Sequence, residues 1–344
     1  MDTKVPASPD VAISCVSLGS FNPEAMEEAI QKSHFEHSLD GPGQFRGKIL
    51  HVKNARTCLD WGRYSLPVLA RGPISADRMT LGILLNEREV SLFNGNALLP
   101  GSMMLYGEGE ELNVRLPPNS NWLSIQLDRL SLAKIGIEFS DAGFRSWDMG
   151  KEKAPRAQIL QYATLLESVT QQAGQADALK ADQAINDIED QVLLRLASLV
   201  AARRVFPMQS YSRGKDRTLC IVRDTDSYME ARIESPITIS EICLALNTNI
   251  KALERAFMCT YGLGPKQYLL KKRLSKLRQL LVCSSAGEHT LVDAYLSCGL
   301  IHFGRAAQGY RALFGELPSH TLSQTQSRGK LAAGRRLRRG DVGH

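Results

Sequence analysis

The sequence predicts an α+β protein of two domains, in which a β-rich N-terminal domain with flanking helices precedes an all-α C-terminal domain. The chain has 344 residues, of which 43% are hydrophobic and 23% charged, so it can form more than one hydrophobic core. Short apolar runs separated by Gly, Pro and Asn occupy residues 45–130, which is typical of strands. Beyond about residue 150 the apolar residues recur at helical spacing instead.

The N-terminal domain is expected to be a sandwich or a small barrel entered through a short helix. Asn22 is a candidate cap for that helix, and Pro23 suits its first position. Apolar and polar residues alternate over 123–128, which predicts a half-buried strand. Aromatic residues here either line a cavity for a small effector or, more commonly, pack in the core, so no ligand residue is assigned. They are Trp61, Tyr64, Tyr106 and Trp122.

Two helices are expected after the β-rich part. One has the apolar residues Ile159, Leu166 and Val169 and ends near Gly174. The other extends from about 181 to 203, with a single apolar stripe that would be either a dimer seam or a face packed on the chain's own sheet. The second reading is slightly favoured, because seams usually persist over more heptads. The stripe comprises Ile185, Ile188, Val192, Leu196 and Leu199.

Charge is divided unevenly along the chain. Residues 1–202 contain 19 basic and 25 acidic residues, a net charge of −6, whereas residues 203–344 contain 23 and 11, a net charge of +12. A concentration of positive charge attracts polyanions. Nucleic acid is therefore the leading partner for the C-terminal part and an anionic membrane surface the second, while charge alone is equally compatible with a merely soluble basic domain.

Residues 238–257 predict two helices joined by a short turn. Thr238 and Glu241 have the spacing of a capping box at the start of the first helix. Asn247 to Asn249 interrupt the apolar pattern, and Asn249 is a good cap for the second helix. The second helix would present a polar face to solvent. A helix presented in this way can enter the major groove of DNA.

A second pair of helices is predicted over 290–315. Gly299 supplies the positive φ for a turn at Cys298 to Leu300, and the next helix begins near His302. Between the two pairs, Pro265 begins a helix that would fix their spacing. The outer face of this middle helix is expected to carry Lys266, Lys271, Lys272, Arg273, Lys276 and Arg278.

The segments ISEI, LERAF, YGLGPKQYLLKKRL, CGL and YRALFGELPS follow one another over about 100 residues. In this order they resemble the AraC/XylS family of bacterial transcription regulators. The resemblance implies a cupin-like N-terminal domain and a C-terminal domain with two helix-turn-helix motifs joined by a linker helix. Expected units are a sensor domain (1–150), a helical dimerisation or packing region (151–206), a linker (207–217), a DNA-binding domain (218–325) and a basic flexible tail (326–344).

The resemblance also implies which residues contact DNA. Bases would be contacted by Lys251, Glu254, Arg255, Phe303, Arg305 and Gln308. Phosphates would be contacted by Lys266, Gln267, Arg273, Lys276 and Arg311. Three positions depart from the family pattern, with Tyr295 in place of Ala and Leu300 and Ala306 in place of Phe. We expect these three side chains to touch, so that core volume is conserved.

The expected function is sequence-specific regulation, as an activator, of transcription from double-stranded promoter DNA. Partners would be RNA polymerase, a second copy of the chain and a small-molecule effector. Alternatives are control by a partner protein or by abundance, and a nonspecific architectural DNA binder. No membrane span, secretory signal, disulfide framework, cofactor or catalytic motif is recognised, and His34 and His37 lack further metal ligands, so we expect a cytoplasmic protein that is not an enzyme.

Overall fold

A computed structural model defines the fold. It describes residues 12–134 except 28, 54–56 and 87–88; residues 145–148; residues 161, 164, 187, 190–194 and 197; and residues 213–327 except 284–289. Strands dominate up to residue 148, and helices fill the described residues from 213 onward. This bears out the expected β-rich N-terminal part followed by a helical C-terminal part.

The strands form two antiparallel sheets. One has seven strands in the order β1-β3-β4-β11-β6-β9-β12, and the other has five in the order β2-β5-β10-β7-β8. The bounds are β1 Ala12–Leu18, β2 Glu36–Leu39, β3 Gly47–Lys53, β4 Cys58–Tyr64, β5 Val68–Pro73, β6 Met79–Leu84, β7 Ser91–Phe93, β8 Asn96–Leu98, β9 Ser102–Tyr106, β10 Glu111–Leu116, β11 Ser120–Leu127 and β12 Arg145–Asp148. Strands β1 and β2 precede the region that the sequence pattern indicated.

Helices occur at both ends of the β-rich region and throughout the C-terminal region. Their bounds are α1 Pro23–Met26, α2 Arg129–Lys134, α3 Arg213–Ala231, α4 Ile239–Ala245, α5 Ile250–Tyr261, α6 Pro265–Cys283, α7 Leu291–Ser297 and α8 Phe303–Phe314, and a further helix, α9, covers 318–327. Helix α1 begins as predicted, with Asn22 as its cap and Pro23 at its start, but it has only four residues.

Two of the expected elements need correction. The predicted linker at 207–217 is wrong over 213–217, where the chain already forms the start of α3; residues 207–212 lie outside the described residues. Val222, Thr225, Asp226 and Met229 are buried in α3, so packing on one side holds this polar segment in a helix. The predicted tail at 326–344 begins while α9 continues, to 327, and its remainder is outside the described part of the chain.

Strand β11 is buried on both faces rather than on one, so the half-buried prediction is wrong. Leu123 and Ile125 belong to a core on the outer side of the seven-stranded sheet, whereas Trp122 belongs to a core that includes both sheets. Ser124 and Gln126, the polar members of the alternation, are also buried. The outer core forms because other elements pack on the outer side of the seven-stranded sheet. The alternation of apolar and polar residues within one strand cannot reveal that packing.

The outer core also contains Val192, a residue of the predicted 181–203 stripe. Val192 is buried, and Leu193 and Ala197 pack beside it. These residues favour packing on the chain's own sheet over a dimer seam in this part of the stripe. The other stripe residues, the helix predicted to end near Gly174 and most of the expected 151–206 region lie outside the described residues.

Candidate nucleic-acid interface

Helices α4 and α5 form the first helix pair, and local hydrogen bonds fix both of their starts. The Thr238 amide donates to Glu241 Oε2 at 2.7 Å, and the Glu241 amide donates to Thr238 Oγ1 at 3.2 Å, which is the predicted capping box. Asn247 has a φ of 46°, in the left-handed region that Asn tolerates. Asn249 caps α5 by accepting from the Ala252 amide at 2.9 Å. The predicted turn is confirmed.

The two faces of α5 differ sharply in chemistry. Leu253 and Phe257 are fully buried, and Ala256 lies between them. Lys251, Glu254 and Arg255 are exposed on the other face, where the sequence places them. The first pair therefore presents two cations and one carboxylate on a helix that is anchored from behind. Contact of these residues with bases stays a prediction.

Helices α7 and α8 form the second helix pair, with the same helix lengths as the first. Thr290 and Asp293 form a capping box at the start of α7, which the sequence pattern had not indicated. Gly299 has a φ of 63° in the turn, and α8 begins at Phe303, directly after His302. His302 makes no capping hydrogen bond through its side chain. Phe303, Arg305 and Gln308 are exposed on α8, again on the expected face.

The unusual residues of the second pair lie in one buried cluster. Tyr295, Leu300 and Ala306 belong to the same hydrophobic core. The Leu300 amide donates to the Tyr295 carbonyl at 2.9 Å, so these two residues are neighbours. The Tyr295 ring also stacks on Phe303, with 5.1 Å between ring centroids. The cluster is compatible with the expected volume compensation, and the stack links Phe303 to the interior of the pair.

Helix α6 joins the two pairs, and its cations do not all face solvent. Lys266 and Gln267 are exposed, as is Arg311 on α8, and Lys276 is partly exposed. Arg273 is half-buried and donates from Nη2 to the Ser235 carbonyl at 2.5 Å, and burial lowers the pKa of its guanidinium. This placement gives Arg273 a structural contact, and its predicted phosphate contact stays untested.

Lys272 and Arg278 were expected on the outer face of α6, and that expectation is wrong. Each residue is 3% exposed. Lys272 Nζ lies 3.0 Å from Asp226 Oδ1 and 2.8 Å from Glu36 Oε2 of β2. Arg278 donates to the Phe21 carbonyl at 2.5 Å. The β-rich region covers this side of α6, and its acidic and carbonyl groups replace the water that the cations would otherwise face.

An apolar cavity of about 60 Å³ lies between the two sheets. Three of the four aromatic residues noted in the sequence line it, namely Tyr64, Tyr106 and Trp122, whereas Trp61 packs in the outer core. Burial lowers the pKa of His37 to about 4, with an opposing hydrogen bond to the Phe35 carbonyl, so this lining residue is neutral at pH 7. His37 is thus a buried packing residue, as isolated histidines usually are.

Polar atoms are sparse in the cavity wall. The hydroxyl groups of Thr80 and Ser124 are buried there without a hydrogen-bond partner. Burial raises the pKa of Tyr64 far above its ordinary value, which keeps the phenol neutral. The described lining residues carry no charge at pH 7. Elsewhere in the described residues, no group of three or more His, Cys, Asp or Glu side chains could hold a metal ion.

The helices of the described residues include none that is both long and apolar enough to cross a membrane. A family model described as a helix-turn-helix domain matches residues 242–324, which begin within α4 and include α5, α6 and the second helix pair. The matched segment therefore coincides with the surface that carries the six candidate base-contacting residues.

Similar proteins are regulators of bacterial operons. A probable thc operon regulatory protein of Rhodococcus erythropolis is 25% identical over 205 residues, which are 58% of this chain and 60% of that protein. The XylDLEGF operon transcriptional activator of Pseudomonas putida is 31% identical over 97 residues, 28% of this chain and 30% of that protein. The chain thus matches less than two thirds of the length of these curated relatives.

A probable AraC family transcriptional regulator from Rhodopseudomonas palustris, of known structure, is 33% identical to this chain. The match covers 31% of this chain and 98% of that one, with a TM-score of 0.29. The matched segment and these sequence identities show that the C-terminal region contains a helix-turn-helix domain similar to those of transcriptional regulators. The chain belongs to the AraC/XylS family.

Proposed function

We propose that the chain is a sequence-specific transcriptional activator whose two helix pairs contact adjacent major-groove segments of promoter DNA. The observation that carries this proposal is the equivalence of α5 and α8. Each has twelve residues, and each buries its fourth and eighth residues, Leu253 and Phe257 in α5 and Ala306 and Tyr310 in α8. Both helices therefore turn the same positions toward solvent.

The exposed residues have the chemistry that base contact requires. Arg255 and Gln308 are both the sixth residue of their helix. Arginine pairs with guanine and glutamine with adenine through two hydrogen bonds each, and a glutamate such as Glu254 accepts from cytosine. The exposed side of Phe303 suits the methyl group of thymine. The two helices thus offer different base preferences, as two distinct half-sites need.

Helix α6 supports this arrangement by holding the pairs apart. Its 19 residues correspond to roughly 28 Å of helix. A rigid spacer of this length suits two major-groove segments one helical turn, about 34 Å, apart. Lys266, Gln267 and Arg311 are exposed near the pairs and suit phosphates, which position a protein without specifying sequence. We place the DNA-binding unit at 218–325, extended to residue 213 by α3.

The test compares Arg255→Ala and Gln308→Ala with Arg223→Ala, an exposed arginine on α3 outside both pairs. Genome-wide mapping of bound sites first supplies the operator duplex. Each of the first two changes should cost about 1–3 kcal/mol on the operator and little on random duplex. Arg223→Ala should leave both affinities unchanged. Equal losses on operator and random DNA would favour an architectural, nonspecific binder instead.

We further propose that the β-rich region senses a small molecule in the cavity between the sheets. Its wall is apolar, lacks charge at pH 7 and contains the unpartnered hydroxyls of Thr80 and Ser124. An unpaired buried hydroxyl costs about 1–3 kcal/mol, which a ligand with one hydrogen-bonding group would recover. The effector class is therefore a compact, uncharged, mainly apolar molecule with one such group. A homodimer and contact with RNA polymerase belong to the same proposal through family membership.

A thermal-shift screen of the full chain against uncharged small molecules tests the sensing proposal. Hits should stabilise the wild-type chain, and Thr80→Val should weaken their effect while keeping the volume of the side chain. A chain that no compound stabilises would favour the alternative, in which a partner protein or the abundance of the regulator sets its activity.

A further inference from the structure

The five-stranded sheet is a single layer between the cavity and the helical region. Adjacent side chains of a strand point to opposite faces of the sheet. In β2, His37 lines the cavity and the preceding residue, Glu36, contacts α6. In β5, Ala70 lines the cavity and the next residue, Arg71, contacts Asp226 of α3. One residue step thus separates the two environments.

The strand register extends this alternation across three strands. Glu36 pairs with Arg71, and Arg71 pairs with Asn113 of β10, so these three form one row. We call them the helix-facing row. The neighbouring row consists of His37, Ala70, Val114 and Phe93, all of which line the cavity. We call these the cavity-facing row.

Each member of the helix-facing row contacts a different helix. Glu36 Oε2 lies 2.8 Å from Lys272 Nζ of α6. The Arg71 guanidinium forms an ion pair with Asp226 of α3. Asn113 Oδ1 accepts from the Tyr261 hydroxyl, at the end of α5, at 2.7 Å. The row therefore holds α3, α5 and α6 at one point each.

The contacts share partners, and Asp226 and Lys272 at their centre are buried, whereas Glu36 and Glu230 are about half exposed. Asp226 is 2% exposed and accepts from Tyr268 Oη at 2.7 Å as well as from Lys272 at 3.0 Å. Glu230 Oε2 lies 3.1 Å from the same Lys272 Nζ. Removing one partner from a buried ion network leaves another charge uncompensated, so such networks favour discrete arrangements over gradual ones. A small displacement of the row can thus have a large effect on the helices.

We propose that occupation of the cavity displaces the cavity-facing row and, through the shared strands, the helix-facing row, which changes how firmly α3, α5 and α6 are held. This inference rests on the proposed sensing function. Lys251 and Arg255 are exposed while Tyr261, on the last turn of the same helix, is held. The contacts of the helix-facing row therefore affect the position of α5, and they leave its candidate base-contacting surface exposed.

Two substitutions can occupy the cavity without a ligand. Ala70→Val adds two carbons from the five-stranded sheet. Gly82→Ala adds one from the opposite wall, where the new Cβ would meet only the flexible Met104 side chain, at 3.0 Å. Val52→Ile is the control, because Val52 is buried in the outer core, away from the cavity and the helical region. All three are made in the full chain and compared by amide hydrogen exchange.

Both cavity variants should speed exchange at least threefold in peptides from 213–231 and 250–283, and Val52→Ile should leave those peptides unchanged. Glu36→Gln should reproduce the effect in 265–283 without altering the cavity. If Ala70→Val fails to fold, Gly82→Ala carries the test. Unchanged exchange in a folded cavity variant, or equal changes in Val52→Ile, would overturn the inference.

Failure of the proposed function has a different signature. If the coupling exists but the chain has no effector, the cavity variants still change exchange in the helices while no compound stabilises the wild type. If the effector exists but the coupling does not, compounds stabilise the chain and the helices keep their protection in the cavity variants. The two experiments together therefore separate sensing from transmission.

Discussion

The two helix pairs are alike in outline and differ in what holds their turns. Each begins with a capping box, has helices of seven and twelve residues, and ends at a glycine with positive φ, Gly262 or Gly315. The first turn depends on Asn247 in the left-handed conformation and on Asn249 as a cap. The second depends on Gly299 and has no side-chain cap at His302.

The difference shows that one architecture can be specified locally or through tertiary contacts. The first turn is fixed by residues within a few positions of each other. A Cβ on Gly299, in contrast, would clash with the Ile233 carbonyl and lie 2.9 Å from the guanidinium of Arg273. The second turn therefore depends on α6 and on the segment after α3. Substitutions in each turn can therefore test whether local residues or tertiary contacts stabilise it.

Substitutions in the cores of the two helix pairs should give the largest difference in the free energy of unfolding. Tyr295 is the fifth residue of α7, and its equivalent in α4 is Cys243, which is also buried. Tyr295→Ala should lower the free energy of unfolding by about 3–5 kcal/mol, because it leaves a cavity and removes the stack on Phe303. Cys243→Ala should cost about 1 kcal/mol, since far fewer atoms are lost. Urea unfolding of both variants measures the difference, and equal costs would contradict it.

Substitutions in the two turns should give the second largest difference in the free energy of unfolding. Gly299→Ala should cost about 2–3 kcal/mol, because the added Cβ combines left-handed strain with a backbone clash. Asn247→Gly is the matched change in the first turn and should be nearly neutral, since glycine adopts the same φ without strain. Both values come from the same urea titration. A tolerated Gly299→Ala would mean that the second turn is as independent as the first.

The capping boxes should be equivalent. Thr238→Ala and Thr290→Ala each remove a hydroxyl that accepts an amide hydrogen at 3.2 Å. Each should cost about 1 kcal/mol, and the two should differ by less than about 0.5 kcal/mol. A large inequality between the boxes would show that the pairs do not share this feature energetically.

The smallest expected effect is an increase in the free energy of unfolding. His302→Asn would place a capping side chain at the start of α8, where none acts, and should raise the free energy of unfolding by about 0.5–1 kcal/mol. Asn249→His is the reciprocal change in the first pair and should lower it by a similar amount. Melting temperatures of the two variants should move in opposite directions. A shift of both in the same direction would show that cap chemistry does not distinguish the pairs.

The sequence predicted the features that depend on near neighbours. The Thr238 capping box, the Asn249 cap, the Gly299 turn and the exposed face of α5 all involve residues within one or two helical turns. The six candidate base-contacting residues are exposed for the same reason. Helical periodicity alone separates the buried face from the exposed face.

The sequence did not reveal what the β-rich region covers. Lys272 and Arg278 have the spacing of solvated cations, and their partners Glu36 and Phe21 precede them by 236 and 257 residues. Periodicity contains no information on contacts at that separation. The same limit applies to β11, whose polar residues are buried because other elements cover both faces of its sheet.

The contact between Glu36 and Lys272 has a consequence for biosynthesis. Ribosomes add about 5–20 residues per second, so roughly 12–47 s pass between the synthesis of these two residues. Throughout that interval the Glu36 carboxylate lacks its Lys272 partner, and the Arg71 guanidinium in the same row lacks Asp226 until α3 has been made.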